Sequence, residues 1–385
     1  MARRRESLTL AEKTEVIRLG LVADPDTPRQ IAERLAESLP EELSGEREWQ
    51  IDVETDPVTA GLRETWEILD LTEQKRREHG WHYAICITDL PVRTSSGPLV
   101  AEVDHDQGTA VVSVPALGGF QPRRRVGQVI RQVLDDLRGE HGERPGEETE
   151  ELRHGLSSSL TRVVAPIRRR AVTEPRGAVD VQYVSTRTRG RVRLLTGMVR
   201  TNRPWRLIFG LSRALAAAVA TSAFGLSSTT IWMIGDQLGT TNKIMVMVAA
   251  VAALVFWLIA AHDLWETRRS AVDRELAWLY NASTLLTLTI GVVVLYAILF
   301  VVNVVLATLI VPSSLLSSTV GRTAGLGTYL SVAWAFTTLG AIAGALGSSL
   351  ETDHAVRQAA YGYRESTRRA EHQREQEQRE HGEDL

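Results

Sequence analysis

Cysteine occurs once in 385 residues, at Cys86, and lysine only at Lys13, Lys75 and Lys243. A single cysteine excludes an intramolecular disulfide framework and a zinc site built from several thiolates. It lies in the apolar stretch "HYAICITDL", the setting of a buried, inert thiol. Neither a phosphate-cradling GxxxxGK[ST] nor a GxGxxG follows an apolar strand, so no nucleotide loop is expected. The basic start "MARRRESLTLAEKTEV" lacks a following apolar run. It therefore does not read as a secretory leader, and the first domain is expected in the cytosol. No cofactor, resident metal or catalytic constellation is expected.

What is present divides unevenly. Residues 1–206 are polar and charged, whereas residues 207–350 hold nearly all the long apolar runs. In the first part "EVIRLGLVAD" alternates as a strand, "PRQIAERLAESL" sets Ile31, Leu35 and Leu39 at helical spacing, and "WQIDVETD" alternates again. "GLRETWEILDLTEQKRREHG" predicts a helix with Leu62, Trp66 and Leu69 on one face. Three strands follow in "HYAICITDL", "PLVAEVD" and "GTAVVSVPAL", separated by turn chemistry in "RTSSG" and "DHDQG". "RRRVGQVIRQVLDDLRGEHG" closes the series with an apolar stripe from Val126 to Leu137. The order β-α-β-α-β-β-β-α predicts an α/β domain over residues 1–140 with a mixed sheet, parallel at first and hairpin-like later.

Candidate sites in this half are few. His79 and His82 are three apart, but Gly80 between them ends the helix and points to capping. Asp104, His105 and Asp106 read as a solvated hairpin turn. Asp89 follows an apolar strand, the place where open α/β sheets bind ligands.

With "ICITDLPV", then "AVVSVPAL", then an amphipathic helix, the element order over residues 15–138 resembles the metzincin and archaemetzincin catalytic domain. That family's last helix carries HExxH, two zinc-binding histidines flanking a glutamate base. Here it reads "VIRQVLDDLRG", without histidine, so the resemblance implies a domain of that fold whose metal site has been lost.

An acidic, glycine- and proline-bearing linker occupies residues 141–154. Beyond it, thirteen arginines stand between Gly155 and Arg213 against only Glu174 and Asp180. "LSSSLTRVVAPIRRR" suits a short amphipathic helix, and "AVDVQYVSTRTRGRVRLLTGMV" suits β-strands about a turn at Arg189–Gly190. Residues 155–206 are thus expected to form a folded juxtamembrane neck in which Arg189, Arg191, Arg193, Arg200, Arg203 and Arg206 meet anionic lipid head groups. Nucleic acid is disfavoured, because stacking aromatics are not interleaved with the arginines.

Four apolar spans, about residues 207–234, 244–261, 284–311 and 328–350, predict a four-helix membrane domain over 207–350. The arginine-dense approach, the arginines of "HDLWETRRSAVDRELAWLY" and six more in the charged tail 351–385 place both termini inside a bacterial inner membrane. Trp205, Trp232, Trp265, Trp278 and Tyr329 fall near the expected interfaces. Ser and Thr recur throughout the spans, and Asn303 and Arg213 are their strongly polar groups, with hydrogen bonding to a neighbouring helix and snorkelling as their ordinary roles. Gly340 and Gly344 in "GAIAGALG" form a small-residue face for helix packing, within the chain or between copies in a homo-oligomer.

The whole layout, with its "RLLTGMVRTNRPW" neck, resembles integral membrane proteins of high-GC Gram-positive bacteria. The leading functional expectation is a non-enzymatic membrane protein whose residues 1–140 bind a protein partner or ligand at the membrane surface. An oligomeric transporter or channel centred on Asn303, and a divergent metzincin-like hydrolase, are the alternatives.

Overall fold

The computed structural model describes residues 16–43, 48–56, 65–94, 97–138, 167–171, 181–185, 187–206, 211–265 and 271–348. The acidic linker, the tail, Leu62 and the helix expected before residue 167 lie outside them. The chain forms two compact units, Met1–Gly197 and Met198–Leu385.

In the first unit the strands are β1 (Val16–Ala23), β2 (Glu48–Thr55), β3 (Tyr83–Thr88), β4 (Arg93–Thr94), β5 (Gly97–Asp104), β6 (Thr109–Ser113), β7 (Ile167–Ala171) and β8 (Val181–Ser185). Its helices are α1 (Thr27–Leu43), α2 (Thr65–His79), α3 (Pro122–Leu137) and α4 (Arg187–Asn202), of which residues up to Gly197 belong to this unit. The sheet runs β2-β1-β3-β6-β5-β8-β7, with β4 paired to β5. From β2 to β6 the pairing is parallel, and from β6 to β7 it is antiparallel. The parallel-then-hairpin sheet expected from the sequence is present.

Both faces of β1, β3 and β6 are covered, which explains their near-continuous apolar runs, whereas the edge strand β2 is mostly exposed or half-buried. Val22, Ala84, Cys86 and Val111 pack with Ile68 and Leu69 of α2 and with Trp81. The opposite face takes the stripes of α1 and α3, which touch each other through Leu35 and Gly127. Trp66 departs from its expected position: it is 57% exposed, and α2 turns Ile68, Leu69 and Thr72 inward instead.

The expected separate neck differs most. Ile167–Ala171 is a strand, not a helix, and Val181–Ser185 pairs with β5, so this arginine-rich segment completes the sheet of the first unit. Nor is there a turn at Arg189–Gly190, since both residues lie in α4. Tyr183 on β8 donates to the buried carboxylate of Asp136 on α3, fastening the added strand to the helical layer.

Glu102 sits where β5 meets β8, 6% exposed, and accepts from Gln182 Nε2 at 2.8 Å. Burial pushes its carboxyl above the usual range, against the opposing pull of hydrogen bonds from Gln182 and Thr65. A raised carboxyl contributes stability below its unfolded pKa that is lost as pH rises through the folded value. Glu102→Gln is therefore expected to unfold at a higher temperature than the parent at pH 7, with the difference closing as pH falls below the ordinary glutamate range. Thermal melts across that window measure it.

The second unit is helical: α5 (Ser212–Gly225), α6 (Thr229–Gln237), α7 (Thr240–Ala261), α8 (Ala271–Ile310), α9 (Ser313–Val320) and α10 (Leu326–Ser348). Among the described residues three helices are long and apolar enough to cross a membrane: α7, α8 over Ala277–Ile310, and α10 over Leu326–Gly344. The expected first span is not one straight helix. It bends by 95° between α5 and α6, and the pair makes a fourth crossing only if counted together. Ser227 and Ser228 sit at that break, where the Ser228 amide bonds Gly225 O at 2.8 Å. At 40 residues, α8 is about 60 Å long at ~1.5 Å per residue, well beyond the ~30 Å hydrocarbon core. Of the expected interface aromatics, Trp265 and Trp278 are more than half exposed, whereas Trp232 is buried beside Phe336 and Val332.

Candidate functional site

Parallel strands end together, so their following loops gather at one carboxyl edge of the sheet. The order 2-1-3 makes β1 and β3 the point where successive connections leave in opposite directions, a crevice that open α/β sheets use for ligands. Asp24, just past β1, is 3% exposed, and its Oδ2 accepts from Thr88 Oγ1 of β3 at 2.7 Å. The same hydroxyl accepts from the Leu90 amide at 3.0 Å, while Leu90 O accepts from Ser113 Oγ of β6. A polar chain thus ties the ends of β1, β3 and β6. Asp26 holds a left-handed φ of 70° beside it, and Asp89 is half-buried on the next loop.

The loop after β6 is braced by two arginines. Arg125 Nη1 donates to Leu117 O at 2.6 Å, and Arg193 Nε donates to Ala116 O at 2.7 Å. Both side chains flank Gly118, whose φ is +85° and where an added Cβ would lie 2.7 Å from Arg193 Cγ. Burial, with the Arg125 charge second, brings the Arg193 guanidinium down to about 10. Arg193 is therefore a buried brace of this loop, not the lipid-facing residue expected. Arg189 and Arg200 are exposed, and Arg191 and Arg203 are half-buried. The Arg206 side chain lies outside the described residues.

Residues outside this edge have local explanations. His79 stacks on Trp81 at 4.6 Å, and His82 Nδ1 accepts from the Arg18 amide at 2.9 Å, so the two histidines serve different neighbours. Asp104 Oδ1 accepts from the Gln107 amide at 2.9 Å, closing the turn expected there. Among the described residues no three His, Cys, Asp or Glu groups are placed to hold a metal ion.

In the second unit Asn303 is fully buried, and its Nδ2 donates to Ser222 Oγ at 3.2 Å and Thr337 Oγ1 at 3.0 Å. Each hydroxyl donates onward, Ser222 to Phe336 O at 3.3 Å and Thr337 to Ala333 O at 2.7 Å. Asn303 thus joins α5, α8 and α10, while its Oδ1 has no partner among the described residues. Asn303→Leu is expected to change stability by less than about 1 kcal/mol, because both hydroxyls keep their acceptors and an unsatisfied oxygen is removed. Unfolding in detergent measures this; a loss of several kcal/mol would mean that the oxygen is engaged.

Gly340 and Gly344 face Ala214, Ala218 and Ser222 of α5, so this small-residue face is used for packing within the chain. Arg213 lies in α5 with its side chain outside the described residues. Between α7 and α8 runs an apolar groove of about 820 Å³ lined by residues such as Val251, Phe256, Leu285 and Val293, suited to hydrocarbon.

The sequence signal for Asp24 was the aspartate after an apolar strand in "GLVADPDTP", the same signal as for Asp89; Thr88 and Arg125 carried none. The chain matches no known protein family, no curated protein and no solved structure, so its site rests on its own geometry.

Proposed function

We propose that this is a polytopic inner-membrane protein with both termini cytoplasmic, in which the bent pair α5–α6 makes the first of four crossings. Its α/β unit binds a partner or ligand at the membrane surface and acts in a regulatory or scaffolding role without catalysing a reaction. The observation that carries this reading is the carboxyl edge itself. The crevice between β1 and β3, with Asp24 and Asp89, shares that edge with α4, the helix leading to the apolar segments. Gly190 of α4 lies against Ser185 and Pro98, and Gly197 against Pro115, all at strand ends on this side. Occupancy of the crevice would be felt by α4.

The test places a photo-crosslinking residue at Asp89 in the full-length protein in its native membrane and identifies what is captured. A stoichiometric partner or ligand lost in Asp24→Ala supports the reading. Capture that ignores Asp24→Ala, or capture of other copies of this chain alone, overturns it and moves weight to an oligomeric transporter.

A further inference from the structure

The loop after β6 bears an exposed group that the crevice does not use. Phe120 is 68% exposed, and Arg123 and Arg124 beside it are also exposed. We propose that residues 118–124 form a docking loop for an anionic lipid surface, with Phe120 entering the boundary between head groups and acyl chains and Arg123 and Arg124 against lipid phosphates.

Three observations lead there. First, the loop is held in shape before it meets anything. Gly118 and Gln121 have φ of 85° and 46°, the Gly118 amide bonds Pro115 O at 3.0 Å, and Arg125 and Arg193 fasten the carbonyls of Leu117 and Ala116. An aromatic ring presented on a braced loop loses little further freedom on insertion. Second, an exposed aromatic ring followed within four positions by two exposed arginines supplies the residue types of an interfacial anchor, an apolar tip with cations that pair with phosphate. Third, the loop lies at the edge from which the chain departs for its apolar helices. Arg193 and Gly197 of α4 both rest on it, and α5 begins 15 positions after Gly197. Arg189 and Val192 on α4 are exposed as well, while Asp26 and Asp89 stand on loops of the neighbouring strands.

The proposal rests on the membrane placement above but not on crevice occupancy. Cys86, the single cysteine, is fully buried. Phe120→Cys in the full chain therefore accepts a polarity-sensitive dye selectively, and Asp106→Cys, in the turn before β6 at the opposite edge, provides the reference. In nanodiscs containing phosphatidylglycerol, the dye at position 120 should be blue-shifted and quenched by a lipid-borne nitroxide at least about twofold more than at 106. Arg123→Glu with Arg124→Glu, or high salt, should abolish most of that difference. Equal access of aqueous iodide to both positions overturns the proposal. So does identical protection in purely zwitterionic nanodiscs, or protection conferred by a protein or by inorganic phosphate without lipid. Asp89 is untouched throughout, so crosslinking there reports on the crevice separately.

Discussion

Gly197→Val should destabilise the first unit by about 3 kcal/mol or more, the upper range for forced overpacking. A Cβ at this position would lie 2.1 Å from Pro115 O and 2.7 Å from both Pro115 C and Cα. All three are backbone atoms of a short turn between β6 and α3, so no rotamer change relieves the clash. Either α4 lifts from the turn, taking Arg193 from Ala116 O, or the turn moves and pulls on β6. Gly197→Ala makes the sharper measurement. On an isolated helix, alanine gains about 1 kcal/mol over glycine. If α4 is seated as described, Gly197→Ala nevertheless lowers the unfolding midpoint, and hydrogen exchange accelerates in residues 114–121. An increase in stability would mean that α4 does not rest on this turn.

Gly340→Leu should have a comparable effect on the helical unit, again about 3 kcal/mol. Even the first added carbon would lie 2.9 Å from Ala218 O and 2.7 Å from Ser222 Oγ. A larger side chain must separate α5 from α10, and Ser222 would leave the Asn303 amide. Close approach of backbones supplies much of the association between helices in lipid, where no hydrophobic force acts between them. The change should appear as lower resistance to denaturing detergent and faster proteolysis near the α5–α6 bend. Unaltered resistance would place the α5–α10 contact elsewhere. Gly344→Leu should be milder, because its nearest neighbour, Ala214 O, is 3.2 Å away.

The legible parts of the fold are those with local causes. Strand and helix periods from Val16 to Leu137 were readable because β1, β3 and β6 are buried along most of their length and each helix turns one stripe inward. β8 was not placed in the sheet because its partner β5 lies some eighty positions earlier, and the neighbouring arginines drew the segment toward the membrane in any local reading. α4 was missed for a related reason: it contains Gly190 and Gly197, poor helix formers kept for close contacts with Ser185, Pro98 and Pro115. The same holds for Arg193, whose charge suggested solvent or lipid while the structure gives it a carbonyl. In the apolar half, hydropathy located the helices, and Asn303 was visible as a polar residue out of place. The bend after Gly225 was not, since neither proline nor charge marks it. Asp89 could be singled out because aspartate ending an apolar strand is a local pattern; the link between Asp24 and Thr88 depends on strand order.

The pairing of β8 with β5 also bears on how the chain is made. The ribosome adds about 5–20 residues per second. β5, its antiparallel neighbour β6 and the parallel strands beyond can assemble early, but the seat on the other side of β5 stays vacant until Val181–Ser185 has been synthesised. Ser212, which opens the apolar helices, follows Ser185 by only 27 positions, so about 1–5 s separates the two events. Completion of the sheet and emergence of the first apolar helix are therefore nearly simultaneous. A nascent chain that paused after Ser185 would gain time to finish its sheet before its apolar helices appear.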